Sequence, residues 1–291
     1  MQDMSLAVEE ESTRDPFQKF AVGMKTLAAL EQEPHAYLNQ FSLMGSSTEG
    51  DHLVLLFPGI VPQAQFAFRK QQDILQQIPG PIVSIDYPDK GFSMQMLAAQ
   101  VQDFLHSPFA QGKKITFMGS SFGTTCILRL LGSEDFSDLD MQKLVLLGGI
   151  RDVTDFRHET VKHTVRFARS LSSSFLASHV TGIIKKLMNV DPKFFSDDED
   201  TTIQNHALTA IDNDGLAQRF ALFLENALPL PTIHIPSLFY WWESERTTPE
   251  KQRDIIQHFT HTQEITIPGE HGTLATSAPD INPHLQRFLL S

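Results

Sequence analysis

Short, continuously apolar runs alternate with stretches of helical spacing through the first half of the chain. Runs such as Leu53–Phe57 and Leu144–Leu147 lack the apolar–polar alternation of a half-exposed strand, which indicates central strands covered on both faces. Apolar residues recur at helical intervals over Met94–Leu105 and Thr124–Leu131. This order predicts an α/β fold with a mostly parallel sheet and crossover helices. The expected strands are AYLNQFSLMG, HLVLLFPG, PIVSIDYP, KITFMGS and KLVLLGGI.

The alternation stops after Ile150 and returns near residue 231. The intervening segment has helical patterns, such as HTVRFARSLSSSFLASHVTGIIKKLMN, and no convincing strand. Two more strands, IPSLFYWWE and QEITIPG, are expected in the last part, with helices at Pro249–His258 and Pro283–Leu290. A further amphipathic helix is expected at Phe17–Leu30. The expected organisation is an α/β core over residues 1–150 and 231–291, with a polar, frayed start over 1–15 and a helical insertion over 151–230.

Composition narrows the class of protein. Hydrophobic residues make up 41% and charged residues 20% of the 291 residues, which is ordinary for a globular protein with a sizeable core. The net charge of −12 disfavours nucleic acid or anionic lipid as the main partner. The only cysteine, Cys126, excludes an intramolecular disulfide and is expected to pack as a small hydrophobe. An acidic N-terminus and the lack of a membrane-length apolar stretch predict a cytoplasmic protein without a membrane span.

The segment ITFMGSSFGTTC contains the one motif with a clear chemical meaning. Gly119 to Gly123 fits G-x-S-x-G, with an expected strand before it and an expected helix after it. A nucleophile on such a tight turn adopts strained backbone angles, and the two glycines remove Cβ clashes. The helix that follows directs backbone N–H groups toward developing negative charge. The register selects Ser121, rather than Ser120, as the exposed hydroxyl; a plain turn is the alternative interpretation.

On this motif and its context, the chain resembles the α/β-hydrolase superfamily from about Leu53 to the C-terminus. LVLLFPGIV is similar to the family's strand and oxyanion loop, with Pro58 where a histidine is common. The resemblance implies that the backbone N–H groups of Ile60 and Phe122 bind the oxyanion. IVSIDYPDKGFS resembles a further family segment, in which Asp86 is expected to be structural because it precedes the serine.

The family's chain order of serine, acid and histidine suggests the partners of Ser121. His271, in IPGEHGTL just after the last expected strand, falls where the catalytic histidine of the family lies. SLFYWWESERTTP is similar to the acid-bearing loop, and Glu245 occupies the acid position. Glu243 is a neighbouring candidate. Asp152 is the main alternative, because some relatives take the acid from that earlier strand end.

The resemblance implies acyl transfer by a serine hydrolase, with water as the final acceptor. A serine at the elbow argues against the branches that form an alkyl ester on a carboxylate. The insertion would form a cap, and its aromatic content favours an apolar acyl or aryl ester or thioester as the small-molecule substrate.

No metal or nucleotide motif is present, so no cofactor is expected. An acyltransferase and a non-catalytic binding protein are the alternatives. The phenylalanines of the insertion are Phe156, Phe167, Phe175, Phe194, Phe195, Phe220 and Phe223.

Overall fold

The computed structural model contains a seven-stranded, mostly parallel sheet between layers of helices, which confirms the predicted α/β class. It describes residues 40–44, 49–60, 67–88, 91–149, 213–223, 225, 228–244, 249–270 and 277–291. The strands are β1 Gln40–Met44, β2 His52–Phe57, β3 Ile82–Asp86, β4 Lys114–Ser120, β5 Met141–Leu147, β6 Ser237–Ser244 and β7 Thr262–Glu270. The helices are α1 Gln72–Leu75 (after a 3₁₀ turn at Arg69–Gln71), α2 Met94–Leu105, α3 Phe122–Ser133, α4 Asn213–Leu222, α5 Pro249–Ile256 and α6 Ala278–Leu290.

The strand order is β1-β3-β2-β4-β5-β6-β7. β1 is antiparallel to β3, and every other neighbouring pair is parallel. β1 and β2 follow one another in the sequence but are not neighbours, because β3 lies between them. Each of the strands expected from the apolar runs is present. The residues of Leu53–Phe57 are at most 1% exposed, as expected for a central strand covered on both faces.

The order in which successive strands are added to the sheet reverses between β2 and β4. The connection that leaves β2 runs to β3 on one side, and the connection that leaves β4 runs to β5 on the other side. The helix α1 packs in one buried cluster with α6, whereas α3 packs in the cluster on the opposite face. In open α/β sheets, ligands bind outside the carboxyl ends of the strands at such a reversal. The topology therefore singles out the loops after Phe57 and Ser120.

The last helix begins earlier than expected. The sequence pattern predicted a start at Pro283, but α6 begins at Ala278 and includes Pro283. Proline removes one intrahelical N–H donor, and core contacts hold the additional turn in place. Ile281 is fully buried and its carbonyl accepts a hydrogen bond from the Tyr240 hydroxyl at 3.0 Å. Asn282 contacts the side chain of Gln71 at 3.0 Å, so both faces of this turn are fixed.

Several expectations fall on residues outside those described. They include the helix at Phe17–Leu30 and most of the insertion, from residue 151 to residue 212. The end of the insertion is described, and it is helical, as α4. Asp86 has the structural role expected of it, because it ends β3 and its carboxylate accepts a hydrogen bond from the Ser42 hydroxyl at 3.1 Å. No helix within the described ranges combines the length and the apolar character needed to cross a membrane.

Candidate active site

Ser121 occupies a strained turn at the carboxyl end of β4. Its φ is 51° and its ψ is −111°, and no other non-glycine residue in the described part of the chain has a positive φ. Non-glycine residues avoid this region because Cβ approaches the backbone, and such strain concentrates at functional sites. The Ser121 N–H donates to the Leu147 carbonyl at 2.7 Å, which ties the turn to the end of β5. Its side chain is partly exposed, whereas the following turns of α3 are buried.

The two glycines that flank Ser121 have no room for a side chain. A Cβ on Gly119 would lie 2.7 Å from the Thr124 nitrogen, inside the turn itself. A Cβ on Gly123 would overlap the Phe57 carbonyl and lie 2.6 Å from the Pro58 oxygen. Gly123 is therefore the point where α3 approaches the loop after β2. The motif's glycines are required by space rather than by φ, since neither has a positive φ.

Thr124 joins the first turn of α3 to the end of β5. Its hydroxyl accepts from the Leu147 N–H at 3.0 Å and donates to the Leu147 carbonyl at 3.1 Å. The side chain is 1% exposed, so water does not compete for these bonds. Leu147 therefore holds both the Ser121 turn and the helix behind it.

The loop after β2 is held from a second direction. The buried Tyr87 hydroxyl donates to the Pro58 carbonyl at 3.2 Å. Ile60 lies in this loop, and Phe122 is the first residue of α3, where helical N–H groups have no intrahelical acceptor. The two residues expected to form the oxyanion hole therefore lie on segments that meet at Gly123.

An aromatic cluster surrounds Phe122, the residue after Ser121. Phe122 is fully buried, and its ring lies 5.3 to 5.6 Å from the rings of Tyr87, Phe92 and Phe223 in edge-to-face arrangements. Phe223 in turn contacts Phe220 of α4. The two phenylalanines of the insertion that the structure describes thus pack against the core.

Two ionisable groups in this region are kept neutral by burial. Burial raises the pKa of the Tyr87 hydroxyl well above its ordinary value, and contact with Cys126 raises it further. Burial likewise raises the pKa of the Cys126 thiol to about 12. The prediction that Cys126 packs as a buried hydrophobe is confirmed. Neither group can act as a base near neutral pH.

The other residues expected at the site lie outside the described residues: His271, Glu245 and the alternative acid Asp152. Glu243, the neighbouring candidate, is described and its side chain is exposed. Within the described ranges, no cluster of histidine, cysteine, aspartate or glutamate could hold a metal ion.

No protein-family model and no curated protein matches the sequence. Solved structures do match, at sequence identities that show the fold alone. An enol-lactonase from Burkholderia xenovorans LB400 aligns over 87% of this chain and 96% of its own, with a TM-score of 0.63 and 15% identity. An esterase from Exiguobacterium antarcticum aligns over the same shares, with a TM-score of 0.65 and 14% identity. An alpha/beta hydrolase from a deep-sea metagenome library aligns over 87% and 94%, with a TM-score of 0.62 and 11% identity.

The chain has the α/β-hydrolase fold. Within this fold, Ser121 lies at the turn after β4, the expected nucleophile elbow, and the loop from Pro58 to Ile60 is the expected oxyanion loop.

This α/β-hydrolase fold also holds a buried cation, on helix α4, that the sequence analysis missed. Arg219 of α4 is 3% exposed. Its guanidinium donates to the Ile60 carbonyl at 2.8 Å and to the Tyr87 carbonyl at 3.0 Å. The signal was present in the sequence, because Arg219 is followed directly by Phe220 and lies four residues before Phe223. An arginine among apolar residues at helical spacing indicates a buried cation.

Proposed function

We propose that the protein is a serine hydrolase that cleaves an ester or thioester of an apolar acyl or aryl substrate, with Ser121 as the nucleophile. The observation that carries this proposal is the left-handed φ of 51° at Ser121, between two glycines that cannot carry a Cβ. A turn of this kind has an energetic cost, and the surrounding contacts hold it at the reversal point of the sheet. A hydroxyl held there can attack the carbonyl carbon of a bound substrate. A turn that only connected β4 to α3 would not need this strained conformation.

The proposed reaction has two acyl-transfer steps. The Ser121 oxygen bonds to the substrate carbonyl carbon while its proton passes to His271, and the carbonyl oxygen becomes an oxyanion. The Ile60 and Phe122 amides stabilise that oxyanion; in a well-studied hydrolase, one such donor is worth about 3–4 kcal/mol. The tetrahedral species collapses, the C–O or C–S bond breaks, and the leaving group takes the proton from His271. Water repeats the sequence and releases the acid.

The sheet ends support the choice of histidine and acid. Ser244, the last residue of β6, pairs with Glu270, the last residue of β7. Glu245 and His271 follow directly in the sequence, after parallel strands that end at the same edge as β4. We propose His271 as the base and Glu245 as the residue that orients it and stabilises its protonated form, with Asp152 as the alternative.

The aromatic residues support an apolar substrate. The side chains packed beside the Ser121 turn are aromatic: Phe122, Tyr87, Phe92 and Phe223. We propose that residues 151–230 form a cap, and that some of its phenylalanines line the space above Ser121, where they would favour an acyl or aryl chain over a sugar.

Fluorophosphonate labelling tests the nucleophile. Wild type and Ser120→Ala are expected to label, because Ser120 ends β4 and is not the elbow residue. Ser121→Ala is expected not to label. His271→Ala is expected to label at least about 1,000-fold more slowly, because the serine loses its base. Labelling that persists in Ser121→Ala would move the nucleophile elsewhere, and an unlabelled, folded wild type would favour the non-catalytic binding protein.

Turnover assays separate the remaining alternatives. Glu245→Gln, Glu243→Gln and Asp152→Asn are compared with wild type, and the largest loss of kcat identifies the acid. A series of p-nitrophenyl esters is expected to show kcat/KM rising with acyl length, and a flat series would contradict the apolar substrate. Product analysis with added alcohol distinguishes an acyltransferase, which would form a new ester in place of the free acid.

A further inference from the structure

Arg219 joins helix α4 to the loop after β2, which lies beside the Ser121 turn, and to the loop after β3. Its guanidinium donates to the carbonyl of Ile60, in the loop after β2, at 2.8 Å. It also donates to the carbonyls of Tyr87 and Pro88, in the loop after β3, at 3.0 and 3.2 Å. The neighbouring Gln218 accepts from the Phe92 N–H at 3.0 Å, which ties α4 to the second loop again.

The geometry of the guanidinium makes this connection specific. Arginine presents several N–H donors in one rigid plane and stays charged, so it can hold separate carbonyls at fixed relative positions. Its carbon centre lies 5.4 Å from the Tyr87 ring centroid, within the range of a cation–π contact. With 3% exposure, these bonds are shielded from competing water. This side chain therefore fixes the loops after β2 and β3 relative to each other, in addition to the hydrogen bond from Tyr87 to Pro58.

The contacts of Arg219 help to fix the direction of the Ile60 N–H. The Ile60 N–H belongs to the peptide unit between Gly59 and Ile60. The preceding unit is fixed because the Tyr87 hydroxyl donates to the Pro58 carbonyl at 3.2 Å. The following unit is fixed because Arg219 donates to the Ile60 carbonyl. A peptide between two fixed neighbours has little freedom to turn, and an oxyanion donor depends on such preorganisation.

We propose that Arg219 is a positioning residue that orients the Ile60 N–H toward the oxyanion, a role that rests on the proposed function. The residue does not touch the reacting atoms; it acts through the Ile60 carbonyl. Because α4 belongs to the segment expected to form the cap, the same contact links that segment to the oxyanion loop.

The chain offers a matched control in Arg129 of α3. Arg129 is also buried, at 5% exposure, and it also donates to backbone carbonyls, those of Leu222 and Glu225, at 2.8 and 2.9 Å. It anchors the end of α4 to α3. Loss of either arginine removes a buried cation and its carbonyl contacts, but of the two arginines only Arg219 has a hydrogen bond to the oxyanion loop in the described part of the chain.

The test compares Arg219→Met, Arg219→Lys and Arg129→Met by esterase kinetics, corrected for the folded fraction. Arg219→Met is expected to lower kcat about 10- to 100-fold, less than full loss of an oxyanion donor, with KM changed less than about threefold. The kcat of Arg219→Lys is expected to lie between those of wild type and Arg219→Met, because an ammonium keeps the charge but lacks the planar set of donors. Arg129→Met is expected to keep kcat within about threefold. Equal losses of kcat in both methionine variants, or a change in KM alone, would overturn the proposal.

A measurement independent of turnover uses the backbone dynamics of the Ile60 amide. Its NMR order parameter is expected near 0.85 in wild type and in Arg129→Met, and below about 0.6 in Arg219→Met. An unchanged value in Arg219→Met would overturn the positioning role even if wild type proved inactive. If Arg219→Met does not fold, Arg219→Lys carries both measurements. An unlabelled wild type with a loosened Ile60 amide would instead contradict the proposed function and leave the loop contact supported.

Discussion

The two ends of β4 differ in how their residues are held. At the carboxyl end, Ser121 is strained, Gly123 touches a neighbouring loop, and buried Arg219 holds that loop. At the amino end, Lys114 meets Asp51 at 2.9 Å, with the two side chains 43% and 60% exposed. Hydrogen bonding to Lys114 lowers the pKa of Asp51, yet water and salt screen such a pair.

This contrast shows what the proposed chemistry requires. Exposed charges can move by an ångström and exchange partners with water at little cost. A nucleophile and its oxyanion donors cannot, because a displacement of that size changes a rate by orders of magnitude. At the carboxyl end the side chains are therefore held by close backbone contacts and buried hydrogen bonds, whereas at the amino end backbone hydrogen bonds are joined by an exposed, screened ion pair. Substitutions at matched positions on the two ends test this difference.

Gly123→Ala is expected to have the largest effect, because its Cβ would overlap the carbonyls of Phe57 and Pro58. Relief of that overlap has to displace α3 from the oxyanion loop. We expect the fluorophosphonate labelling rate to fall by more than about 100-fold, and the free energy of unfolding to fall by about 1–3 kcal/mol. Urea unfolding and labelling of the folded protein measure the two effects.

Gly112→Ala is the control at the amino end of the same strand. Gly112 has a φ of +75°, and a Cβ there would meet no atom within 4 Å. The substitution is expected to cost about 1–2 kcal/mol in backbone strain and to leave the labelling rate unchanged. If Gly112→Ala slows labelling as much as Gly123→Ala, the elbow is not held by local contact with the loop, and the contrast fails.

Thr124→Val is expected to have an intermediate effect. Valine has nearly the same shape but cannot accept from the Leu147 N–H or donate to its carbonyl. Loss of a buried partner is expected to lower the free energy of unfolding by about 1–3 kcal/mol. Thr116→Val in β4 is the isosteric control, because the Thr116 hydroxyl has no hydrogen bond to any residue that the structure describes. Equal urea midpoints for the two variants would contradict the role of Thr124.

The apolar runs and the glycine motif were sufficient to predict the strands and the tight strand-to-helix turn at Ser121. Continuous runs such as Leu53–Phe57 have few alternatives to a central strand, and G-x-S-x-G between strand and helix has a steric cause. The sequence did not reveal that β3 lies between β1 and β2, since strand order depends on long-range pairing. It also missed Arg219, because a lone helical arginine is usually solvated, and its partners are carbonyl groups that no side-chain pattern encodes.

The smallest effect is expected at the exposed pair near the amino end of the sheet. His106 Nε2 lies 2.8 Å from Asp138 Oδ2, with side chains 48% and 62% exposed. The hydrogen bond to Asp138, and then that to the Gln102 carbonyl, raise the pKa of His106. Asp138→Asn is therefore expected to lower the pKa of His106 in an NMR titration.

The sign of the stability effect follows from that direction. A histidine whose pKa is raised by folding stabilises the protein fully below its unfolded pKa, near 6.5, and loses this contribution as pH rises through the folded pKa. Asp138→Asn is expected to reduce the free energy of unfolding by about 0.2–1 kcal/mol at pH 5.5 and by nothing measurable at pH 9. The labelling rate of Ser121 at either pH is expected to match wild type. A loss that grows with pH, or slower labelling, would mean that this end of β4 is coupled to the elbow after all.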